Sequence, residues 1–223
     1  MNNATAALLL SGTLLAGGAR AQAPTTGLRF GVRAGLSLAT LKGTINEGAR
    51  HRPGAAAGVL MQWRPGAPFA LQAEALFAQQ GCRSKYEVAG TPFDNRVRLN
   101  YLNVPVLAKV YLGPVLHLHV GPQLGVLLTA RRRGQVSYSP MRGYTTVDAN
   151  VRDDYRNDVA FCAGIGADLP RGLTLTARYT HGFTDINNNE VDQLARRASG
   201  IGGLYNRSVQ LGVGYFFGFR PVQ

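Results

Sequence analysis

The chain has 223 residues, a formal charge of +12 at neutral pH and 2 cysteines. That length suits one large domain, and the cysteine count excludes a disulfide framework and a zinc motif built on CxxC pairs. No run of about 18 apolar residues appears, so a membrane-crossing helix is not expected; Lys42, Lys85 and Lys109 are the only lysines, so arginine carries the basic excess.

In chain order, Ala6–Ala16 reads AALLLSGTLLA and is followed by GGARAQA. A short apolar core followed by small residues at alternate positions is the layout of a secretory signal peptide. Cleavage is expected after Ala21, which leaves residues 22–223 as the mature domain. That domain opens on LRFGVRAGLSL (28–38), where every second residue is apolar. Side chains on a strand alternate between faces, so this pattern predicts a β-strand over 28–39. The same alternation recurs at Ala55–Trp63, Phe69–Gln80, Leu99–Leu112, Val115–Leu128, Val159–Leu169, Leu173–Phe183 and Ser208–Phe219. Several runs reach the ~9–11 residues that a tilted strand needs to cross a bilayer.

The connections alternate in length. RPGAP (64–68), Gly113-Pro114 and Pro170-Arg171-Gly172 are tight turns, whereas 40–54, 81–98, 129–158 and 184–207 are long. Short turns at one end and long loops at the other describe an outer-membrane barrel. The predicted fold is therefore all-β, an eight-stranded antiparallel up-and-down transmembrane β-barrel. Pro105 and Pro122 fall inside predicted strands, where a ladder donor is lost, and local bulges are expected there.

Alternation alone fits a soluble lipocalin-like barrel with an apolar interior equally well. The less apolar face decides. It holds Gly31, Gly35, Gly58, Gly121, Gly125, Gly164, Gly166, Gly212 and Gly214 and few of the residues that coat a solvated strand. Small residues suit the crowded interior of a narrow barrel. The charges on that face have both signs: Arg29, Arg33, Glu74, Lys109, Asp168 and Arg178. Confined ions must pair, so a network is expected that joins Glu74 to Arg33 or Arg178, and Asp168 to Arg29 or Lys109. On the apolar face Trp63, Phe69, Tyr215, Phe217 and Phe219 fall near the short-turn end, where an interfacial aromatic girdle would sit.

The remaining arginines lie mostly in the long loops, among acids such as Asp148, Asp153, Asp154 and Asp192. A nucleic-acid site calls for a clustered basic face with interleaved aromatics. The mixed signs point away from nucleic acid and toward outer-membrane lipid and lipopolysaccharide, whose anionic head groups arginine recognises well. A protein partner at the extracellular loops is a further expectation.

LRFGVRAGLSLATLKG (28–43) resembles the opening of the PorT-type outer-membrane β-barrel domain of Bacteroidota. LNYLNVPVLAKVYL (99–112) is similar to that family's central YL-x-(I/V)-P-LL-K stretch, and 116–128, 175–186 and 208–217 match its later strands in order. The resemblance implies an eight-stranded barrel in the cell outer membrane. It also implies a possible link to secretion, since the family's namesake takes part in type IX secretion. Phe219 is followed by RPVQ, a departure from the terminal aromatic usual in such barrels.

Enzyme motifs are scarce: the sequence has no GxSxG, P-loop or HExxH. His117 and His119 share a face but lack an evident third ligand, so no metal and no cofactor are expected. RYTHGF (178–183) resembles the His end of a lipid A deacylase but lacks the serine nucleophile, and a base alone cannot run that chemistry. Cys82 and Cys162 lie near the long-loop end on strands expected to face each other across the barrel, so a bond between them would require loop 81–98 to fold over the mouth. The reading is a non-enzymatic outer-membrane barrel with a polar, side-chain-filled lumen and a structural or interaction role. The alternatives are a soluble barrel that binds an apolar ligand and a lipid A-modifying enzyme.

Overall fold

The computed structural model describes residues 27–43, 49–88, 91–139, 143–200 and 202–217. The expected signal peptide and Phe219 lie outside them. The elements run β1 Gly27–Lys42, β2 Ala49–Gly66, β3 Phe69–Val88, β4 Thr91–Leu112, β5 Leu116–Ser139, β6 Gly143–Asn150, β7 Asp158–Asp168, β8 Leu173–Gly182, α1 Glu190–Ala198 and β9 Tyr205–Phe216. All pairings between them are antiparallel, in the order β4-β3-β2-β1-β9-β8-β7-β5. A further β4–β5 pairing closes this row into a ring. β6 stands outside the ring: β7 takes the Leu116–Gly125 part of the free edge of β5, and β6 takes the part from Arg131 to Ser139.

The tight turns sit where the backbone demands them. Gly113 has φ 88° and Gly172 has φ 86°, in the left-handed region that glycine enters without penalty. Arg171 shares that region with φ 64°.

Polarity is inverted relative to a soluble barrel. Leu36 is 72% exposed and Leu211 61% exposed, and Phe30, Val59, Leu116, Leu124 and Ile165 are exposed with them. Glu74, Lys109, His117, Gln123, Arg178 and Gln210 are buried. A large apolar side chain left in water forfeits ~1.5–3 kcal/mol. Ten of them would therefore forfeit roughly as much as, or more than, the ~5–15 kcal/mol by which a domain is stable. The outer wall is built for hydrocarbon. The lipocalin-like alternative needed these side chains in the interior, and they are not there.

The structure corrects the sequence reading in two places. The connections at 40–54, 81–98 and 129–158 are largely strand: β3 and β4 run on to Val88 and from Thr91, and β5 pairs with the unexpected β6. Above the membrane neither face needs to be apolar, so these extensions carry no alternation. The prolines, too, cause no bulge. The β4–β5 register is the same at Val104↔Leu124, Pro105↔Gln123 and Ala108↔Val120, and the shift falls instead between Asn100 and Tyr101. Each proline leaves its own gap: Pro105 interrupts the β3–β4 ladder between Ala73↔Val106 and Leu76↔Asn103, and Pro122 leaves a gap in the β4–β5 ladder between Pro105↔Gln123 and Ala108↔Val120. Gly121 fills the Pro122 gap tightly: a Cβ there would come within 1.9 Å of the Val106 carbonyl oxygen.

Gly121→Ala is therefore expected to cost about 1–3 kcal/mol through backbone displacement. A lower urea midpoint, followed by fluorescence of the single tryptophan Trp63 in detergent, is the expected result.

Candidate functional site: the charged interior

The interior charges fall into two groups. In the first, Glu74 on β3 faces Arg33 on β1 and Arg178 on β8. Arg178 grips the carboxylate with both ends of its fork, Nη2 to Oε1 at 2.7 Å and Nη1 to Oε2 at 2.8 Å. Arg33 Nη1 donates to Oε2 at 3.1 Å and to Oε1 at 3.3 Å. Gln72, two residues along the same face, donates to Oε1 as well. Arg178 Nε lies 3.4 Å from His119 Nε2. Planar fork-to-carboxylate pairing is the strongest geometry available to these groups.

The second group gathers at the short-turn end around Asp168 of β7. Its carboxylate accepts from Tyr111 Oη at 2.6 Å and from Thr174 Oγ1 at 2.9 Å. His117 Nε2 is 3.3 Å away, Arg29 Nη2 3.6 Å and Lys109 Nζ 3.9 Å. Gln62 donates to Tyr111 Oη at 2.9 Å and accepts from Arg29. The Arg64 guanidinium stacks over the Tyr111 ring, 3.7 Å from its centroid.

Small residues make room for these groups. A Cβ on Gly212 would lie 2.5 Å from Arg33 Nε, and one on Gly166 would lie 2.4 Å from the His117 ring. All six charged residues singled out from the sequence thus face the interior, and each acid touches both of the cations named for it. The sequence reading missed Gln62, Arg64, Gln72, Tyr111 and Thr174, although each shares interior parity with a residue it did name. Among the described residues no cluster of His, Cys, Asp and Glu could hold a metal ion. Trp63, Phe69, Tyr215 and Phe217 stand exposed on the outer wall near the short turns.

The opposite end of the barrel is closed by an apolar cap. Leu41, Cys82, Leu99, Tyr101, Leu127 and Ala130 from the strands pack with Tyr155, Ile186 and Leu204 from the overlying segments. A Tyr155↔Asn187 bridge ties those segments together, and Tyr101 Oη donates to the Arg156 carbonyl at 3.2 Å. Helix α1 is held over this end by Arg196, which donates to Asp192 at 3.0 Å and to the Gly43 carbonyl. Both cysteines are free thiols: Cys82 sits in the cap, and Cys162 Sγ lies 3.3 Å from Gln123 Oε1. His181 points outward between Tyr179 and Phe183.

On the extended β3–β4 hairpin, hydrogen bonds from Arg83 and then Arg96 hold the Asp94 carboxyl well below the usual aspartate range.

Residues 20–188 match the family described as outer membrane protein beta-barrel domain. Among solved structures, the attachment invasion locus protein Ail of Yersinia pestis is similar at 13% identity. The match covers 86% of this chain and 100% of that one, with a TM-score of 0.48. Neisserial surface protein A is similar at 12% identity, with 85% and 98% covered and a TM-score of 0.48. A major outer membrane protein of Thermus thermophilus is similar at 16% identity, with 85% and 99% covered and a TM-score of 0.46. No curated protein matches.

Two outcomes follow from this geometry. Glu74→Gln leaves Arg33 and Arg178 buried without their counter-ion, which is expected to cost about 3–5 kcal/mol. The temperature at which the folded band on an unheated gel gives way to the unfolded one should fall accordingly, and it should respond little to added salt. Asp94 behaves differently. Its depressed pKa supports the hairpin fully at neutral pH, and that support fades only as pH falls below the ordinary aspartate value of ~3.9. Hydrogen exchange of 83–96 should rise there, and also in high salt, because this pair is exposed.

Proposed function

This chain belongs to the outer membrane protein beta-barrel domain family and resides in the outer membrane, and from that premise we propose a non-enzymatic barrel with a closed lumen that serves a structural or interaction role. The observation that carries the proposal is the filled interior. Glu74 is clamped between Arg33 and Arg178, Asp168 is held by Tyr111, Thr174 and His117, and the apolar cap lies above. Groups held this closely leave no continuous aqueous path. At the wall, where a lipid substrate would arrive, His181 lies 3.5 Å from the Tyr179 hydroxyl rather than beside a serine or cysteine. The lumen network of Arg29, Arg33, Glu74, Lys109, Asp168 and Arg178 then acts as an internal brace. Trp63, Phe69, Tyr215 and Phe217 form the girdle that fixes the barrel's depth at the short-turn interface.

In this reading residues 1–21 are a signal peptide removed on export, and residues 22–223 form the barrel. The β3–β6 extension and α1 project outside the cell, where lipopolysaccharide and a protein partner are the available contacts. The likeness of LNYLNVPVLAKVYL (99–112) to the PorT-type signature supports a role linked to secretion. Comparison of surface and secreted proteomes with and without the gene tests that link.

Planar-bilayer recordings of the purified barrel are expected to show no stable conductance step, and lipid A incubated with it should keep its full set of acyl chains by mass spectrometry. A large stable channel, or loss of an acyl chain, overturns the proposal.

A further inference from the structure

The strands that outrun the membrane carry a pattern of charge that the closed-lumen reading does not use. Arg83 on β3 stands opposite Arg96 on β4, and Arg96 stands opposite Arg133 on β5. In the next row toward the membrane, Arg98 stands opposite Arg131. Residues two apart share a face, so all five guanidiniums lie on one side of this sheet. That side is the outside: Arg98, Arg131 and Arg133 are exposed, while Leu99 and Ala130 between them face the apolar cap.

Neighbouring strands are about 4.8 Å apart, and like charges directly opposite each other destabilise a sheet. The upper row has protein counter-ions. Asp94 bridges Arg83 and Arg96, and Asp148 on β6 lies opposite Arg133. Among the described residues the lower row does not. Its register neighbours are Gly81 on one side and Asn150 on the other, so no acid stands in that row. Directly beneath it, Asn100 donates to Thr129 at 2.8 Å, and below that pair the exposed Leu102, Val126 and Phe77 begin the apolar wall. Among the described residues the uncompensated arginines are therefore the first outward-facing charges above hydrocarbon on β4 and β5.

We propose that Arg98 and Arg131, supported by Arg83, Arg96 and Arg133, form a binding site on the outer wall for the phosphorylated head group of an outer-leaflet glycolipid, whose acyl chains lie along Leu102, Val126 and Phe77. The inference rests on the orientation proposed above and deepens it. Continuity selects this occupant. Charged rows and apolar wall are successive stretches of the same face of the same strands, which matches a molecule with phosphate at one end and acyl chains at the other. The guanidinium fork meets phosphate oxygens in pairs, which supplies the missing counter-charge.

The test uses the full barrel in dodecyl maltoside and measures binding of bisphosphorylated lipid A, dephosphorylated lipid A and inorganic pyrophosphate. The wild type should prefer the bisphosphorylated lipid. With each surface arginine contributing about a factor of five, R98S/R131S should lose about thirty-fold for that lipid and little for the dephosphorylated one. R98K/R131K, which keeps the charge but loses the fork, should fall between the wild type and R98S/R131S, and R197S, on α1 outside the patch, should match the wild type. The gel shift on heating verifies folding of each variant; should R98S/R131S not fold, Arg131→Ser alone carries the comparison with about a five-fold loss. Wild-type affinity in R98S/R131S, or equal binding of the two lipids, overturns the proposal. So does displacement of lipid A by pyrophosphate at the same concentration, which would mark a site for soluble anions. Those results leave the closed lumen standing, whereas conductance or lipid turnover would overturn that reading and not this site.

Discussion

A strand in hydrocarbon has no water to satisfy its amide and carbonyl groups, so every one of them must find a partner in the sheet. The β4–β5 pairing meets that demand, because it joins the two ends of the row and removes the free edges. Closure then dictates the rest. The outer wall meets acyl chains and is apolar; the inner wall encloses a narrow space and must be small or polar. Gly166 and Gly212 are small because His117 and Arg33 occupy the space in front of them.

The interior is more than inert filling. Arg29, Arg33, Arg64, Lys109 and Arg178 outnumber Glu74 and Asp168, so each acid is shared among several cations. Pairs of this kind seldom add stability over an apolar core of the same shape. Their value here is geometric. Glu74 links β1, β3 and β8 across the barrel, and Asp168 links β7 to β1, β4 and β5. An apolar core would fill the same volume without fixing which strand faces which.

The membrane-spanning part of this fold was legible in the sequence because one physical requirement writes it: alternate residues must be apolar. The same parity that puts Leu102, Val104 and Val106 on the outer wall puts Lys109 inside. Where the requirement lapses, so does the signal. Beyond Gln80 and Leu128 the outer face meets polar surroundings and only short stretches of the inner face, at Cys82 and Ala130, meet the apolar cap, so residues such as Arg83, Arg96 and Arg133 read as loop although they lie in register on strands. The cap was equally hidden. Tyr155, Ile186 and Leu204 are far apart in sequence, and only the path of the overlying segments brings them to Leu99 and Leu127. The prolines misled for a different reason: a missing donor shifts register only when the neighbouring pairs cannot hold it, and here they do.

The central claim is that lipid, not water, lies against the apolar face, and quenching by lipid-borne bromine tests it most directly. The native Trp63 is replaced by phenylalanine, and a single tryptophan is placed at Leu118 or Leu211 on the outer wall, or at Gln210 on the inner one. In bilayers with bromine at mid-chain, Leu118→Trp and Leu211→Trp should be strongly quenched and shielded from aqueous acrylamide, while Gln210→Trp should be spared by bromine. Acrylamide quenching at Leu118→Trp and Leu211→Trp, with no effect of the brominated chains, would contradict the account.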